Sequence, residues 1–280
     1  MNLTSPSQVK AWCIENGFHP NKVLGQNFLI DRNALLAIVD AGLESLSAAS
    51  SPRVLEIGPG LGVMTEELLS RGCFVTAVEK DAVLANRLKN ALGCPPGLSV
   101  VAGDALDMTK EWRGERSRGG VFPPSDGFEC MVSNLPYQAG TRILMDLAMT
   151  RALPSMTVLV QTEVADRLAA KEGSKARGLA GVWAQLDYDV RIVRKVSASC
   201  FWPRPAVGST VVKLVRHDRN VGLSAGEREF FFSLTKQAFV HRRKQLGSIF
   251  KDLIQSTARA EELSNNDWIE LSKGLYDADT

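Results

Sequence analysis

The chain has 280 residues, room for one large domain or for a large and a small one. Hydrophobic residues make up 45% and charged residues 23%, which excludes a collagen-like, coiled-coil or wholly disordered chain. Lys and Arg total 33 against 31 Asp and Glu, a formal charge of +2, so attraction to nucleic acid has to come from local clusters of basic residues.

The N-terminal stretch MNLTSPSQVKAWCIENG lacks the basic segment and apolar run of a signal peptide. No segment approaches the ~18 apolar residues of a membrane span, and a soluble, intracellular protein is expected. Ser5, Pro6 and Gln8 predict an N-cap, an N1 proline and a capping box, with Gly17 as the stop. After the turn-rich HPNKVLGQNFLID, Asp31 is predicted to cap a helix over RNALLAIVDAGL, so the first 46 residues read as a helical extension.

From residue 53 short apolar runs alternate with helical stretches: RVLEIG, MTEELLSRG, FVTAVE, AVLANRLKNALG, LSVVAGD, ECMVSN, TRILMDLAMTRA and MTVLVQ. The apolar runs are too dense to leave one face wet, which argues for an α/β doubly wound domain, a mostly parallel sheet with helices on both faces. RGERSRGGVFPPSDG, between the third and fourth predicted strands, reads as a surface loop insertion. EVADRLAAK and LAGVWAQL then read as helices, and YDVRIVRKVS and GSTVVKLVR as strands. The second alternates well enough for an antiparallel edge pair that ends the sheet near residue 216. The domain is thus set at 1–217, followed by a small all-helical domain at 222–280. Cys13, Cys73, Cys94, Cys130 and Cys200 form no CxxC pair, and His19, His217 and His241 have no ligand-like spacing, so no metal site is expected.

EIGPGLG joins the first predicted strand of this run to the next helix. Gly58, Gly60 and Gly62 suit a tight turn that a ligand approaches closely, although such a match can also be a plain turn. Glu79 closes the second strand 21 residues after Gly58, near the offset of about 20 at which an acid accepts from a ribose diol. Asp104 closes the third strand, where a carboxylate can accept from an adenine amino group. Either acid could instead be a helix N-cap. An NAD-binding dehydrogenase would use the same loop and acid.

Asn134-Leu135-Pro136-Tyr137 follows the fourth strand and should emerge at the same carboxyl edge. Methylating an exocyclic amine requires its delocalised lone pair to be localised. The Asn134 side-chain oxygen and the Leu135 carbonyl are two acceptors suited to that, while Pro136 has no N–H to compete. Tyr137 would stack on the base, a contact worth about 1–3 kcal/mol, enough to help hold it out of its stack. A proline turn with a core tyrosine is the other reading of the tetrapeptide.

LGQNFLID, LEIGPGLGVMT, VEKD, GDAL and SNLPY, followed by EVADRLAAK, RGLAGVWAQ, FWPRPAVGSTVV, FVHRRKQLGSIF and RAEELSNNDWIEL, resemble in order and spacing the ribosomal RNA adenine dimethyltransferases, the KsgA (RsmA) family, over nearly the whole chain. The resemblance implies a Rossmann-like S-adenosylmethionine (SAM)-dependent methyltransferase sheet with a helical C-terminal domain that contacts RNA. It further implies a monomeric cytoplasmic enzyme that places two methyl groups on N6 of each of two adjacent adenosines near the 3′ end of small-subunit rRNA. By motif position, Gln26, Asn27 and Leu29 would close over the methionine end of SAM, with Gly58 and Gly60 bordering it. Glu79 would take the ribose hydroxyls, Lys80 would lie against the adenine, Asp104 and Ala105 would meet its polar edge, and Asn134 would serve both cofactor and target. The chain departs from the family in Lys80, where the residue is often apolar, in Gln138-Ala139-Gly140 after the tyrosine, and in the longer 113–127 loop.

In-line attack of N6 on the methyl would need positioning and acceptor geometry but no covalent intermediate and no dedicated base. Basic residues cluster at 236–251, with Lys236, Arg242, Arg243, Lys244 and Lys251, and at 191–217, neither stretch containing an acid. Both suit phosphate contacts, Arg242, Arg243 and Lys244 above all, and both also suit a solvated helix face. Two further readings stay open: a large-subunit rRNA adenine methyltransferase of antibiotic-resistance type, and a non-catalytic nucleic-acid-binding factor on the same scaffold.

Overall fold

A computed structural model describes the whole chain except residues 22–23, 45, 47–50, 94, 116–121, 252 and 280. Cys94 and the middle of the predicted insertion therefore lie outside the described residues. In chain order the elements are α1 (Pro6–Glu15), β1 (Phe28–Leu29), α2 (Arg32–Leu43), β2 (Arg53–Ile57), α3 (Val63–Ser70), β3 (Phe74–Glu79), α4 (Ala82–Ala91), β4 (Leu98–Ala102) and α5 (Ala105–Trp112). They continue with β5 (Cys130–Asn134), α6 (Gly140–Thr150), β6 (Ser155–Gln161), α7 (Thr162–Leu168), α8 (Leu179–Asp187), β7 (Tyr188–Val196), β8 (Phe201–Trp202), β9 (Ser209–Arg216), α9 (Ala225–Val240), α10 (Leu246–Ile249) and α11 (Asn265–Asp279).

Seven strands form one sheet in the order β4-β3-β2-β5-β6-β9-β7. The first five are mutually parallel, and β9 runs antiparallel to β6 with Ser155 opposite Val215 and Gln161 opposite Ser209. Every residue of β5 but Asn134 is buried, as is most of β2 and β6, because helices cover both faces of a parallel sheet. Helix α2 packs on α3 and along β5 and β6, and α5 packs on α6.

Two compact units contain this chain: Met1–Ala165 with Arg191–Arg216, and Asp166–Val190 with His217–Thr280. The first is built around the sheet, with Ile38 and Val39 of α2 packed among Val54, Leu68, Val75, Val132 and Leu159. In the second, Val182 and Leu186 of α8 share a core with Phe231 and Leu234 of α9 and Trp268 of α11. Its buried Arg177 donates to the Ala170 carbonyl (3.0 Å), Gln185 (3.2 Å) and Asn265 (2.6 Å), joining three segments of that unit.

Local chemistry explains most boundaries. Asp31 caps α2 by accepting from Ala34 N–H (2.7 Å), and Ser224 with Glu227 forms a full capping box on α9. The predicted box at Ser5 does not form: Ser5 makes no side-chain cap, and Gln8 accepts from Asn2 N–H (2.7 Å) instead. The sheet ends, as expected, in a pair of strands from this stretch, with β9 as the inner one between β6 and β7, but the alternation read in β9 does not hold, its first six residues being buried. The outer strand is β7, whose Arg191, Arg194 and Lys195 are exposed, a charged border that resists further pairing. Lys213 of β9 is accordingly buried, donating to the Ala41 carbonyl (2.7 Å) and to Glu44 (3.1 Å), so it is not part of a basic surface.

Candidate active site

The order of parallel strands reverses between β2 and β5, the position at which open α/β sheets leave a crevice beyond their carboxyl ends. Here the two strands pair only through Val54–Cys130 and Leu55–Met131. Beyond that Ile57 N–H turns to the Ser133 hydroxyl (2.9 Å) and the strands part. The glycine turn leaves β2 on one side of the gap and Asn134-Leu135-Pro136-Tyr137 leaves β5 on the other. A cavity of about 370 Å³ opens there, within the range that holds small-molecule cofactors. It is lined by Gln26, Asn27, Leu29, Gly58, Gly60, Glu79, Lys80, Asp104, Ala105, Asn134, Leu135, Pro136 and Tyr137, so the first unit gathers all the expected cofactor and catalytic positions at one crevice.

Gly60 has φ +58°, and a Cβ there would stand 3.1 Å from the Phe28 ring, so only glycine lets the turn lie flat against β1. Gly60 N–H donates to one oxygen of Glu79 (3.0 Å), and Asp81 N–H to the other (2.9 Å). Burial raises the Glu79 carboxyl above its ordinary range, and the backbone N–H groups of Asp81, Gly60 and Lys80 offset part of that rise. Asp104 does cap α5, accepting from Leu106 N–H (2.9 Å), and its second oxygen meets Lys80 Nζ (2.8 Å). Burial pushes its carboxyl up, but Lys80 and the helix N–H outweigh that and hold it low.

Asn134 Nδ2 donates to the Asn27 carbonyl (3.1 Å), which fixes the amide and leaves Oδ1 as its accepting end. Leu135 N–H donates to the Leu159 carbonyl (3.2 Å), and Pro136 carbonyl accepts from Gly140 N–H (2.7 Å), so the tetrapeptide is held by β6 and by the start of α6. The half-buried Tyr137 is moored at its hydroxyl by a hydrogen bond with buried Ser209 (2.5 Å), while its side chain lines the cavity. Burial raises its phenol pKa. The Gln26 amide is engaged within the protein: it donates to Asp81 (2.8 Å) and accepts from Asn21 N–H (2.7 Å), linking Asn21 to the start of α4. Leu29 is buried where β1 pairs with β8.

Three lining residues escape sequence reasoning. Glu56, second to last in β2, is 2% exposed and accepts from the Thr65 hydroxyl (2.6 Å); burial pushes its carboxyl up to about 8. The signal was an acid in an otherwise apolar strand. Phe28 packs on Gly60 and stacks with Trp202 at 6.5 Å, and Gly25, with φ +67°, lets the chain approach Tyr137 N within 3.1 Å of where a Cβ would be. Arg242, Arg243 and Lys244 belong to the second unit, in the turn after α9. Arg242 donates to the Lys175 carbonyl (2.6 Å) and faces Glu261 at 3.6 Å, whereas Arg243 and Lys244 are exposed. Among the described residues no group of His, Cys, Asp and Glu is placed to hold a metal, and no helix is long and apolar enough to cross a membrane.

A buried acid at the end of β3, a capping acid at the end of β4 and a glycine turn at the switch point fit a nucleoside with a free diol and an exocyclic amine. With this strand order they define a Rossmann-like SAM-dependent methyltransferase. The family described as "Ribosomal RNA adenine dimethylase" matches residues 17–272, and the chain belongs to it. Proteins named "Ribosomal RNA small subunit methyltransferase A" are similar throughout: that of Shouchella clausii is 34% identical over 98% of this chain and 96% of its own. That of Deinococcus radiodurans is 40% identical over 87% of this chain and 76% of its own. The crystal structure of a dimethyladenosine transferase from Plasmodium falciparum shares the fold, with a TM-score of 0.71 at 23% identity over 86% of this chain and 94% of that one. The chain is an rRNA adenine dimethyltransferase that uses SAM.

Proposed function

We propose that the enzyme dimethylates N6 of two adjacent adenosines near the 3′ end of small-subunit rRNA, acting on the subunit or an assembly intermediate. The observation that carries the reading is the placement of Asn134-Leu135-Pro136-Tyr137 across one crevice from the glycine turn, with the Asn134 amide already oriented by Asn27. The name carried by the relatives above supports a small-subunit target over a large-subunit one.

SAM supplies an electrophilic methyl on a sulfonium sulfur. Glu79 would accept the ribose hydroxyls, Asp104 and Ala105 would meet the polar edge of the adenine with Lys80 alongside, and Gly58, Gly60, Gln26, Asn27 and Leu29 would border the methionine end, all of them lining the one cavity. Asn134 Oδ1 and the Leu135 carbonyl accept from the target amine and draw its lone pair out of the ring. Pro136 offers no competing donor, and Tyr137 stacks on the base. No side chain acts as nucleophile, and the proton leaves to water. Arg243 and Lys244 hold rRNA phosphates, with Arg242 fixing their turn through Lys175 and Glu261.

Asn134→Ala tests the assignment. Methyl transfer should fall by at least about 10²-fold, as when one preorganised polar contact to a reacting group is removed, with folding and most rRNA affinity retained. Near-normal turnover would refute the role given to Asn134.

A further inference from the structure

We propose that Arg142 holds a backbone phosphate of the target nucleotide at the mouth of the crevice, so that its base turns inward onto Tyr137. The inference rests on the rRNA reading above and adds a residue to it. Arg142 stands in the first turn of α6, five residues after Tyr137, and lines the same cavity. Its side chain is 65% exposed, yet it is not loose: Nε donates to both oxygens of Asp146 one turn on, at 2.9 and 3.1 Å. Asp146 is itself well held, its side chain only 4% exposed, and it also accepts from Arg113 at the C-terminal end of α5 and from the Thr109 hydroxyl (3.2 Å).

Anchoring through Nε leaves both terminal nitrogens of Arg142 without a hydrogen-bond partner among the described residues. A guanidinium fixed at one edge presents its remaining N–H groups as a planar fork, the geometry that matches two phosphate oxygens. The other cation lining the cavity, Lys80, is already paired with Asp104. The start of α6 adds a partial positive charge at the same spot. An exposed, pre-oriented arginine lining the same cavity as Tyr137 suits the phosphodiester of an entering nucleotide.

The test compares the wild type, Arg142→Gln and Arg142→Lys on small ribosomal subunits lacking the modification, with SAM binding measured separately by calorimetry. Arg142→Gln should raise KM for the subunit by about 10-fold and lower the slope of log affinity against log salt by roughly 0.7–0.9, the loss of one phosphate contact. SAM affinity should stay within about twofold. Arg142→Lys keeps the charge and should recover most of the salt slope. An unchanged KM and slope in Arg142→Gln would overturn the proposal, as would a loss confined to SAM affinity, which would assign the arginine to the cofactor carboxylate. Failure of the wild type itself to methylate these subunits would instead defeat the rRNA reading.

Discussion

Glu56→Gln should stabilise the protein by an amount that grows with pH. The Glu56 carboxyl is buried beside the cavity, against the Thr65 hydroxyl. Burial raises it to about 8, the Thr65 hydroxyl offsets part of that rise, and the nearby Glu79 adds to it. In the unfolded chain the same group ionises near 4.5, its ordinary value. Because the folded-state value is the higher one, the native state favours the protonated acid. Its contribution is fully present below about 4.5 and is lost progressively as pH rises to about 8, where the folded group ionises as well. At 1.36 kcal/mol per unit of difference, the full loss is roughly 4–5 kcal/mol. Glutamine keeps the shape and still accepts from Thr65, but it cannot ionise in either state. Urea unfolding of both proteins from about pH 4.5 to about pH 8.5 should therefore show near-equal stability at the acid end and a gap of several kcal/mol, favouring the variant, at the alkaline end. A gap that does not change with pH would refute the buried, neutral state of Glu56.

Gly60→Ala should cost about 1–3 kcal/mol of stability, from a left-handed φ and a 3.1 Å approach to Phe28, and should weaken SAM binding in a thermal-shift titration. Tyr137→Phe removes only the Ser209 tether, so methyl transfer should fall modestly. Tyr137→Ala removes the stacking face and should cost a further 1–3 kcal/mol, roughly 5- to 150-fold, in kcat/KM for rRNA with SAM affinity held. Changing Arg243 and Lys244 together to Gln, with Arg242 kept because it holds the Lys175 carbonyl, should flatten the salt dependence of rRNA binding by about 1.4–1.8 in slope without lowering the melting temperature.

Much of the site could be read in advance because each part is announced by a local change in pattern. The run FVTAVE coincides with β3, ending on Glu79, and ECMVSN ends on Asn134, so the strand-to-loop transitions that carry chemistry sit where continuous apolar runs stop. Asp31 and Asp104 announce α2 and α5 by cap chemistry, although ALDMTKEW is too short to show a period and α5 goes unpredicted. Other features have no local signature. β1 and β8 are two residues each, paired across Phe28–Trp202 and Leu29–Phe201, and their pairing exists only because the tertiary fold brings distant segments together. Lys213 looks like a surface charge in an alternating strand until β7 covers the edge and Glu44 neutralises it. The grouping of Asp166–Val190 with His217–Thr280 depends on Val182 and Leu186 finding Phe231 and Trp268, contacts that no spacing within 166–190 announces. Arg142 passes as an ordinary helix-surface residue until its Asp146 bracket and the cavity beside it are seen.

The most direct measurement is transfer of labelled methyl groups from SAM to isolated small and large ribosomal subunits that lack the modification, followed by mapping of the product. The proposed function predicts N6,N6-dimethyladenosine at two neighbouring positions near the 3′ end of small-subunit rRNA, and none in the large subunit. Label on a single adenosine of the large subunit, or no label on either particle from a protein that binds SAM, would contradict it.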